Sequence, residues 1–219
     1  MSAKEYNKDF FKKWTRDMAY FLGFFCADGN MVKGRRGGYY ISVYSADKSI
    51  VALLMRAIES KHKLSSRVSK TGVTYRFQIG SIELFKDLCV LGVTPNKSRR
   101  MEVPNIPRNL EPDFIRGYFD GDGNVWTGFS RRKGVKNNHK MLVGFTSASR
   151  GFLFNLREIL RARGIQGGSV FYIKNKDCSR LSLSTLDALK LYKIMYNKPH
   201  KLFLRRKKLV FEKFIKMRA

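Results

Sequence analysis

The strongest constraint on this chain is a nine-residue pattern that occurs twice. Residues 23–31 (GFFCADGNM) return as residues 117–125 (GYFDGDGNV), and the acid of the second copy, Asp122, follows that of the first, Asp28, by 94 positions. Small, aromatic, acidic and apolar residues come in the same order in both copies. A duplicated unit of this length predicts two similar halves rather than one continuous fold.

The two halves also share a pattern of elements downstream. In each half, a run that alternates with a period of two, as a half-buried strand does, precedes a stretch with helical periodicity. The runs are residues 40–46 and 142–148, and the helical stretches are 50–61 and 152–163. Later strands are expected at 73–79, 170–173 and 180–184, and closing helices at 82–91 and 186–196. The expected fold class is α+β, with the unit α-β-β-α-β-β-α used twice.

A proline-containing segment separates the two units. Pro104 and Pro107 flank Asn105 and Ile106, and each proline disfavours helix at the residue before it. We therefore expect an N-terminal half at residues 1–103, an extended linker at 104–111 and a C-terminal half at 112–219.

Small residues at helical spacing mark both copies of the repeated pattern. Gly23 and Ala27 in the first copy, and Gly117 and Gly121 in the second, are four positions apart and would lie on one face of a helix. Glycine inside a helix costs up to about 1 kcal/mol relative to alanine, so its presence in both copies favours a close contact. We expect the two helices to pack face to face along a pseudo-twofold axis.

Each of these helices is expected to end at an acid, Asp28 or Asp122, followed by a glycine. A carboxylate at a helix C-terminus is disfavoured by the macrodipole, and two such carboxylates near one axis repel each other. A divalent cation would compensate both effects, because Mg²⁺ binds through one or two carboxylates while keeping water and phosphate oxygens as its other ligands. The alternative interpretation is that the two aspartates merely end two core helices.

The net charge restricts the partner. The chain has 44 Lys and Arg against 17 Asp and Glu, a formal charge of +27. Such an excess favours a nucleic acid as partner over the alternatives of a merely soluble basic surface or a ribosomal or membrane-surface protein, without choosing between DNA and RNA. Cys26, Cys89 and Cys178 are odd in number and far apart, which is typical of reduced structural thiols rather than of disulfides or a zinc site.

The sequence predicts neither a membrane span nor a signal peptide. An apolar run of about eighteen residues is absent, and residues 1–13 are charged and lack the apolar core of a signal peptide. We expect a soluble intracellular protein that is not secreted, in the cytoplasm of a bacterial, archaeal or phage-infected cell or in an organelle.

The two copies of the repeated pattern resemble the LAGLIDADG motif, and the whole order of elements is similar to that of monomeric LAGLIDADG homing endonucleases. The resemblance implies that the motif helices form the central interface and that an antiparallel sheet from each half builds a saddle on double-stranded DNA. It implies Asp28 and Asp122 as catalytic acids that bind Mg²⁺ or Mn²⁺, with the preceding Ala27 and Gly121 in the metal sites. The target would be long and either pseudo-palindromic or asymmetric, the protein a monomer, and its biological role intron homing.

The family also places a basic residue beside each metal site, after the last strand and helix of the repeat. Lys97 fits that position in the first half. In the second half the resemblance implies Lys198, with Lys201 as a competitor. The sequence departs from the motif at Cys26, where the second copy has Asp120, so the halves are not fully symmetric.

Period-two alternation also assigns the faces of the strands. Apolar side chains at positions 73, 75, 77 and 79 are expected to face the core, which leaves polar side chains together on the outer face. Arginine can pair with guanine and glutamine with adenine in the major groove, so these side chains are candidates for base contacts. The candidates in the strands are Tyr40, Ser42, Tyr44, Thr74, Arg76, Gln78, Arg180 and Ser182. Loop candidates for DNA contact are Arg35, Arg36, Arg131, Arg132 and Lys133.

Two functions therefore compete. The first is cleavage of one phosphodiester in each strand of a specific duplex, and the second is binding without cleavage, as by an RNA maturase or a DNA-binding regulator on the same scaffold. Two acids at the helix ends favour cleavage, because a pure binder gains nothing from carboxylates beside phosphate.

Overall fold

The computed structural model describes residues 5–70, 72–130 and 138–218. The first half contains α1 (Arg16–Asp28), β1 (Gly29–Lys33), β2 (Tyr39–Ser45), α2 (Lys48–Ala57), β3 (Ser65–Ser69), β4 (Gly72–Gly80) and α3 (Ile82–Val90). The second contains α4 (Glu111–Asp122), β5 (Gly123–Ser130), β6 (Asn138–Ser147), α5 (Arg150–Ala162), β7 (Ser169–Ile173), β8 (Cys178–Leu183) and α6 (Thr185–Tyr196), and is followed by α7 (Arg205–Lys216). The predicted α+β architecture with a repeated α-β-β-α-β-β-α unit is confirmed.

Each half forms one four-stranded antiparallel sheet. The strand orders are β1-β2-β4-β3 and β5-β6-β8-β7, so the second sheet repeats the topology of the first. The registers correspond as well: Asn30 pairs with Ser42 in the first sheet, and Asn124 pairs with Gly144 in the second. Equivalent rows of side chains can therefore be compared between the two sheets.

Each motif helix begins at residues that favour a helix N-terminus. Thr15 precedes α1 in an extended conformation, and its Oγ1 accepts a hydrogen bond from the Met18 N–H, which caps the helix. Helix α4 has a proline in its first turn, where the missing N–H costs nothing. Residues 18–26 of α1 are all buried, so this helix is central to the core rather than amphipathic.

The glycine after each motif helix does not adopt the left-handed conformation that is common at helix ends. Gly29 and Gly123 are extended, with φ −89° and −87°, and they are the first residues of β1 and β5. A Cβ on Gly29 would lie 2.4 Å from the carbonyl oxygen of Phe25, and one on Gly123 would lie 2.4 Å from that of Phe119. Glycine is required here because the chain turns directly from helix into strand.

The sequence pattern did not locate two features of the first sheet. Strand β3 carries only one apolar side chain, Val68, and its short polar sequence gave no strand signal. Val73 was assigned to the core-facing side, but it is 37% exposed and pairs with Val68, which is 77% exposed. The tip of the β3–β4 hairpin therefore lies outside the core. Among the described residues, no helix is long and apolar enough to span a membrane.

Candidate active site and nucleic-acid interface

The two motif helices cross with their backbones in contact. A Cβ on Gly23 would lie 2.1 Å from the carbonyl oxygen of Phe114, and a Cβ on Gly117 would lie 2.0 Å from that of Tyr20. Nearer the C-terminal ends, a Cβ on Gly121 would lie 2.4 Å from the Cβ of Ala27. No side chain fits between α1 and α4 at these points, so the ends of both helices, with their acids, are held close together.

Asp28 and Asp122 are the last residues of these helices, and each affects the other electrostatically. Burial raises the pKa of Asp28 to about 6, with a further contribution from the charge of Asp122. Burial also raises the pKa of Asp122. In both cases the ammonium groups of Lys97 and Lys207 oppose the rise. Two carboxylates and two lysines therefore form one electrostatic cluster at the pseudo-twofold axis.

Lys97 contributes the cation of the first half. It begins a short 3-10 turn after Asn96, which adopts a left-handed conformation with φ 58°. The side chain is buried, and its ammonium lies 6.0 Å from the centroid of the Phe25 ring. Burial lowers the pKa of Lys97, and the nearby carboxylates oppose this effect.

Lys207, in the first turn of α7, contributes the cation of the second half. Its buried ammonium donates hydrogen bonds to the carbonyl oxygens of Phe119, Asp120, Gly121 and Gly123, at 2.7, 2.8, 3.2 and 2.5 Å. It also lies 5.2 Å from the centroid of the Phe119 ring. Phe119 is the repeat equivalent of Phe25, so Lys207 and Lys97 occupy corresponding positions.

Lys198, the sequence candidate for this second cation, lies elsewhere. It is exposed after α6, its backbone carbonyl contacts His200, and it is not among the charges that shift the pKa of either acid. Lys201 is exposed too. Arg116 fixes the segment between α6 and α7 that contains these two lysines. Its guanidinium donates to the carbonyl oxygens of Met195 and Leu202, both at 2.9 Å.

A signal for Lys207 was available in the sequence. It lies four positions before Phe211 and seven before Phe214, and these three are the buried residues of α7. A lysine on the apolar face of an amphipathic helix is unusual, since lysine is rarely buried without a partner. The basic run at positions 205–208 obscures this pattern, because four consecutive cations resemble a solvated polar face.

Asp120 and Cys26 occupy equivalent positions but differ in their contacts. The buried Asp120 carboxylate accepts a hydrogen bond from the Tyr20 hydroxyl at 2.6 Å and one from the Leu204 N–H at 2.7 Å. Burial raises its pKa to about 6, and these hydrogen bonds oppose the rise. Cys26 is buried without such bonds, and burial raises the pKa of its thiol to about 12. Asp120 thus fixes the start of α7 through Leu204, which lies three residues before Lys207.

The donor set suits a metal that shares its ligands with water and phosphate. Among the described residues, no group of three or more His, Cys, Asp or Glu side chains lies together. A protein cage typical of structural zinc is therefore absent from this part of the chain. Two carboxylates with raised pKa values and partial exposure, Asp28 and Asp122, match the way in which Mg²⁺ is held at phosphate-processing sites.

The outer face of the first sheet brings together the side chains chosen from the sequence. Ser42 lies opposite Gln78 and Tyr44 opposite Arg76. Ser42 is buried between its neighbours, and its hydroxyl donates to Gln78 Oε1 at 3.3 Å. The Arg76 guanidinium lies 5.9 Å from the centroid of the Tyr44 ring. Exposed residues on the same sheet or its β1–β2 turn are Thr74, Tyr40, Arg35 and Arg36.

The second sheet places Arg180 and Ser182 at the positions of Arg76 and Gln78. Ser182 pairs with Gly144, and Arg180 pairs with Thr146. A Cβ on Gly144 would lie 2.4 Å from Nη2 of Arg180, so the guanidinium lies directly over this glycine. The loop candidates Arg131, Arg132 and Lys133 lie outside the described residues.

Comparisons with known proteins agree with this architecture. Residues 110–192 match the family model of the LAGLIDADG-like domain. The solved structure of meganuclease I-SmaMI bound to uncleavable DNA is 12% identical, with a TM-score of 0.64 over 90% of this chain and 88% of that one. The homing endonuclease I-WcaI bound to its DNA recognition sequence is 18% identical, with a TM-score of 0.57 over 92% of this chain and 90% of that one.

A curated relative shows a more local similarity. DNA-directed RNA polymerase subunit Rpo1C of Methanocaldococcus jannaschii is 28% identical over 169 residues, which are 75% of this chain and 17% of that protein. The chain therefore spans about a sixth of the length of this relative. Taken together, residues 110–192 match the LAGLIDADG-like domain model, and the whole chain has the fold seen in the solved structures of I-SmaMI and I-WcaI.

Proposed function

We propose that this protein is a site-specific endonuclease that hydrolyses one phosphodiester in each strand of double-stranded DNA with Mg²⁺ or Mn²⁺. The observation that carries the proposal is the cluster of Asp28, Asp122, Lys97 and Lys207 at the crossing of the motif helices. The two carboxylates keep raised pKa values in a buried setting, which is unfavourable unless a cation or a reaction requires them there.

The acids and lysines have complementary roles in this proposal. Asp28 and Asp122 hold the divalent cations, which supply activation of the attacking water and stabilisation of the leaving oxygen. Lys97 and Lys207 keep the carboxylates ionised, since their charges lower the pKa of both acids. Burial lowers the pKa of Lys207 to about 8, so it remains mostly protonated at neutral pH and places a fixed positive charge beside the phosphate.

The rest of the molecule supports a DNA duplex as the substrate. The formal charge of +27 matches a polyanion. The outer faces of the two sheets carry Arg76, Gln78 and Arg180, which can form paired hydrogen bonds with base edges in a major groove. I-SmaMI and I-WcaI, which share the fold, were solved bound to DNA.

The test is to replace each acid by its amide. Asp28→Asn and Asp122→Asn are expected to reduce cleavage by at least about a hundredfold while binding in Ca²⁺ is retained, because only the charge that holds the metal is lost. A plasmid that carries a site selected from a randomised duplex library is followed through its supercoiled, nicked and linear forms. Asp17→Asn, at an exposed acid in the first turn of α1, is the matched control.

The outcomes distinguish the competing functions. Full linearisation by either amide variant would place the metal elsewhere. Binding to selected duplexes without cleavage by the unaltered protein would favour the DNA-binding regulator, and preference for structured RNA over every duplex would favour the maturase.

A further inference from the structure

Each sheet carries an exposed apolar pair at the same register position of its outer face. Val32 pairs with Tyr40 across β1 and β2, and Trp126 pairs with Leu142 across β5 and β6. The exposed fractions of these four side chains are 44%, 37%, 49% and 38%. Val32 and Trp126 each follow their acid by four positions, so the pairs are related by the internal repeat.

The aromatic member of each pair lies against a glycine. A Cβ on Gly128 would lie 2.3 Å from Cζ2 of Trp126, and a Cβ on Gly34 would lie 3.2 Å from Cε2 of Tyr40. Gly34 and Gly128 both follow their acid by six positions. The aromatic ring comes from β2 in one half and from β5 in the other, yet it covers the equivalent glycine. The two halves therefore carry an apolar surface at the same place, formed by different residues.

The setting of these surfaces identifies their occupant. They share the outer faces with the polar and basic side chains Arg76, Gln78 and Arg180, and the chain as a whole is strongly cationic. An apolar surface that packed on a second copy of this protein would bring these cations against one another. In the major groove of DNA, the apolar feature among the hydrogen-bonding edges is the C5 methyl group of thymine.

We propose that Val32 with Tyr40, and Trp126 with Leu142, form two related subsites that contact thymine methyl groups. This inference rests on the proposed binding of duplex DNA. The pairs lie one step further along the outer face than Asn30 and Asn124 and hence further from the acids. The two thymine positions therefore lie on opposite sides of the cleaved bonds, at comparable distances from the centre of the target.

The sharpest test changes the DNA and not the protein. A duplex selected from a random library in Ca²⁺ is resynthesised with deoxyuridine in place of thymidine, one half-site at a time, which removes only methyl groups. The Kd is expected to rise about fourfold for each methyl group lost from contact. Equal binding of the thymidine and deoxyuridine duplexes would overturn the inference and leave the proposed function intact, whereas failure to select any duplex would overturn both.

Protein variants assign the two subsites. Trp126→Ala should abolish the discrimination between thymidine and deoxyuridine in one half-site only, and Tyr40→Ala should abolish it in the other. Leu186→Ala, at a 74% exposed residue of α6, is the control and should discriminate as the unaltered protein does. If Trp126→Ala instead weakened self-association measured by sedimentation, the surface would be a contact between copies and the inference would be wrong.

Discussion

The two acid–lysine sites are equivalent in position but differ in how they are held. Lys97 and Lys207 each lie over the matching phenylalanine of the repeat, at 6.0 and 5.2 Å from the ring centroid. Lys207 donates to four backbone carbonyls, whereas Lys97 donates no hydrogen bond to any described residue. One site is therefore anchored by hydrogen bonds and the other by packing. Duplication preserves the place of a functional group more strictly than the means of holding it.

The largest expected difference between the sites concerns the lysines. Lys207→Met should lower the free energy of unfolding by about 3 kcal/mol, because backbone carbonyls at the end of α4 lose a charged donor in a buried place. Lys97→Met should change it by less than about 1 kcal/mol, since a side chain of similar volume replaces one without protein hydrogen bonds. Urea unfolding of the metal-free variants measures both. Equal losses would contradict the difference in anchoring.

A smaller difference is expected at the position before the acids, where Asp120 and Cys26 correspond. Asp120→Ala should cost about 2 kcal/mol, because the Tyr20 hydroxyl and the Leu204 N–H lose their acceptor. Cys26→Ala should cost about 1 kcal/mol, the loss of one small buried group. Thermal unfolding measures both, and Tyr20→Phe combined with Asp120→Ala should cost little more than Asp120→Ala alone. Fully additive losses would show that the hydroxyl and the carboxylate act independently.

The smallest effect concerns the two acids themselves. An acid whose pKa in the folded protein exceeds its unfolded value favours folding less as it ionises, so metal-free stability should fall as pH rises from about 4 to about 6. Asp28→Asn should remove part of this loss and stabilise the metal-free protein at pH 7 by about 1 kcal/mol, discounted from the full shift because the carboxylate reaches solvent.

The same measurement on the other acid sharpens the comparison. The repulsion between the two carboxylates disappears in either variant, and burial raises the pKa of both acids, so Asp122→Asn should also stabilise the metal-free protein at pH 7. Denaturant midpoints at pH 4 and pH 7 are compared, and at pH 4 both gains should disappear. A gain that persists at pH 4 would come from packing rather than from charge.

The fold could be predicted from the sequence because the same pattern of elements occurs in both halves. Gly23 and Gly117 indicated a close helix crossing. The period-two alternation of the strands assigned the outer face, including the equivalent positions of Arg76 and Arg180 in the two sheets. These features depend on local periodicity and on small residues, which are visible in a single sequence. Strand β3 has one apolar residue and therefore no periodic pattern, so its position could not be predicted in this way.

The second cation of the site could not be placed by local similarity. The sequence around Lys198 resembles that around Lys97, whereas Lys207 lies in a basic run within a helix. Its position depends on hydrogen bonds between residues more than 80 positions apart, from Arg116 to Leu202 and from Leu204 to Asp120. Contacts of this kind have no periodic signature. The spacing from Lys207 to Phe211 and Phe214 indicates that the lysine is buried, but only the packed position of α7 shows that it lies beside the acids.

The crossing of the motif helices also limits how such a protein can vary. At Gly23 and Gly117 the two backbones are in contact, so main-chain atoms set the distance between Asp28 and Asp122, and no substitution can shorten it. The helix pair therefore keeps the distance between the two acids constant, while the side chains on the outer faces of the sheets can vary. In the proposed nuclease, the target sequence can therefore change from one variant to the next, but the number of base pairs between the two cuts cannot.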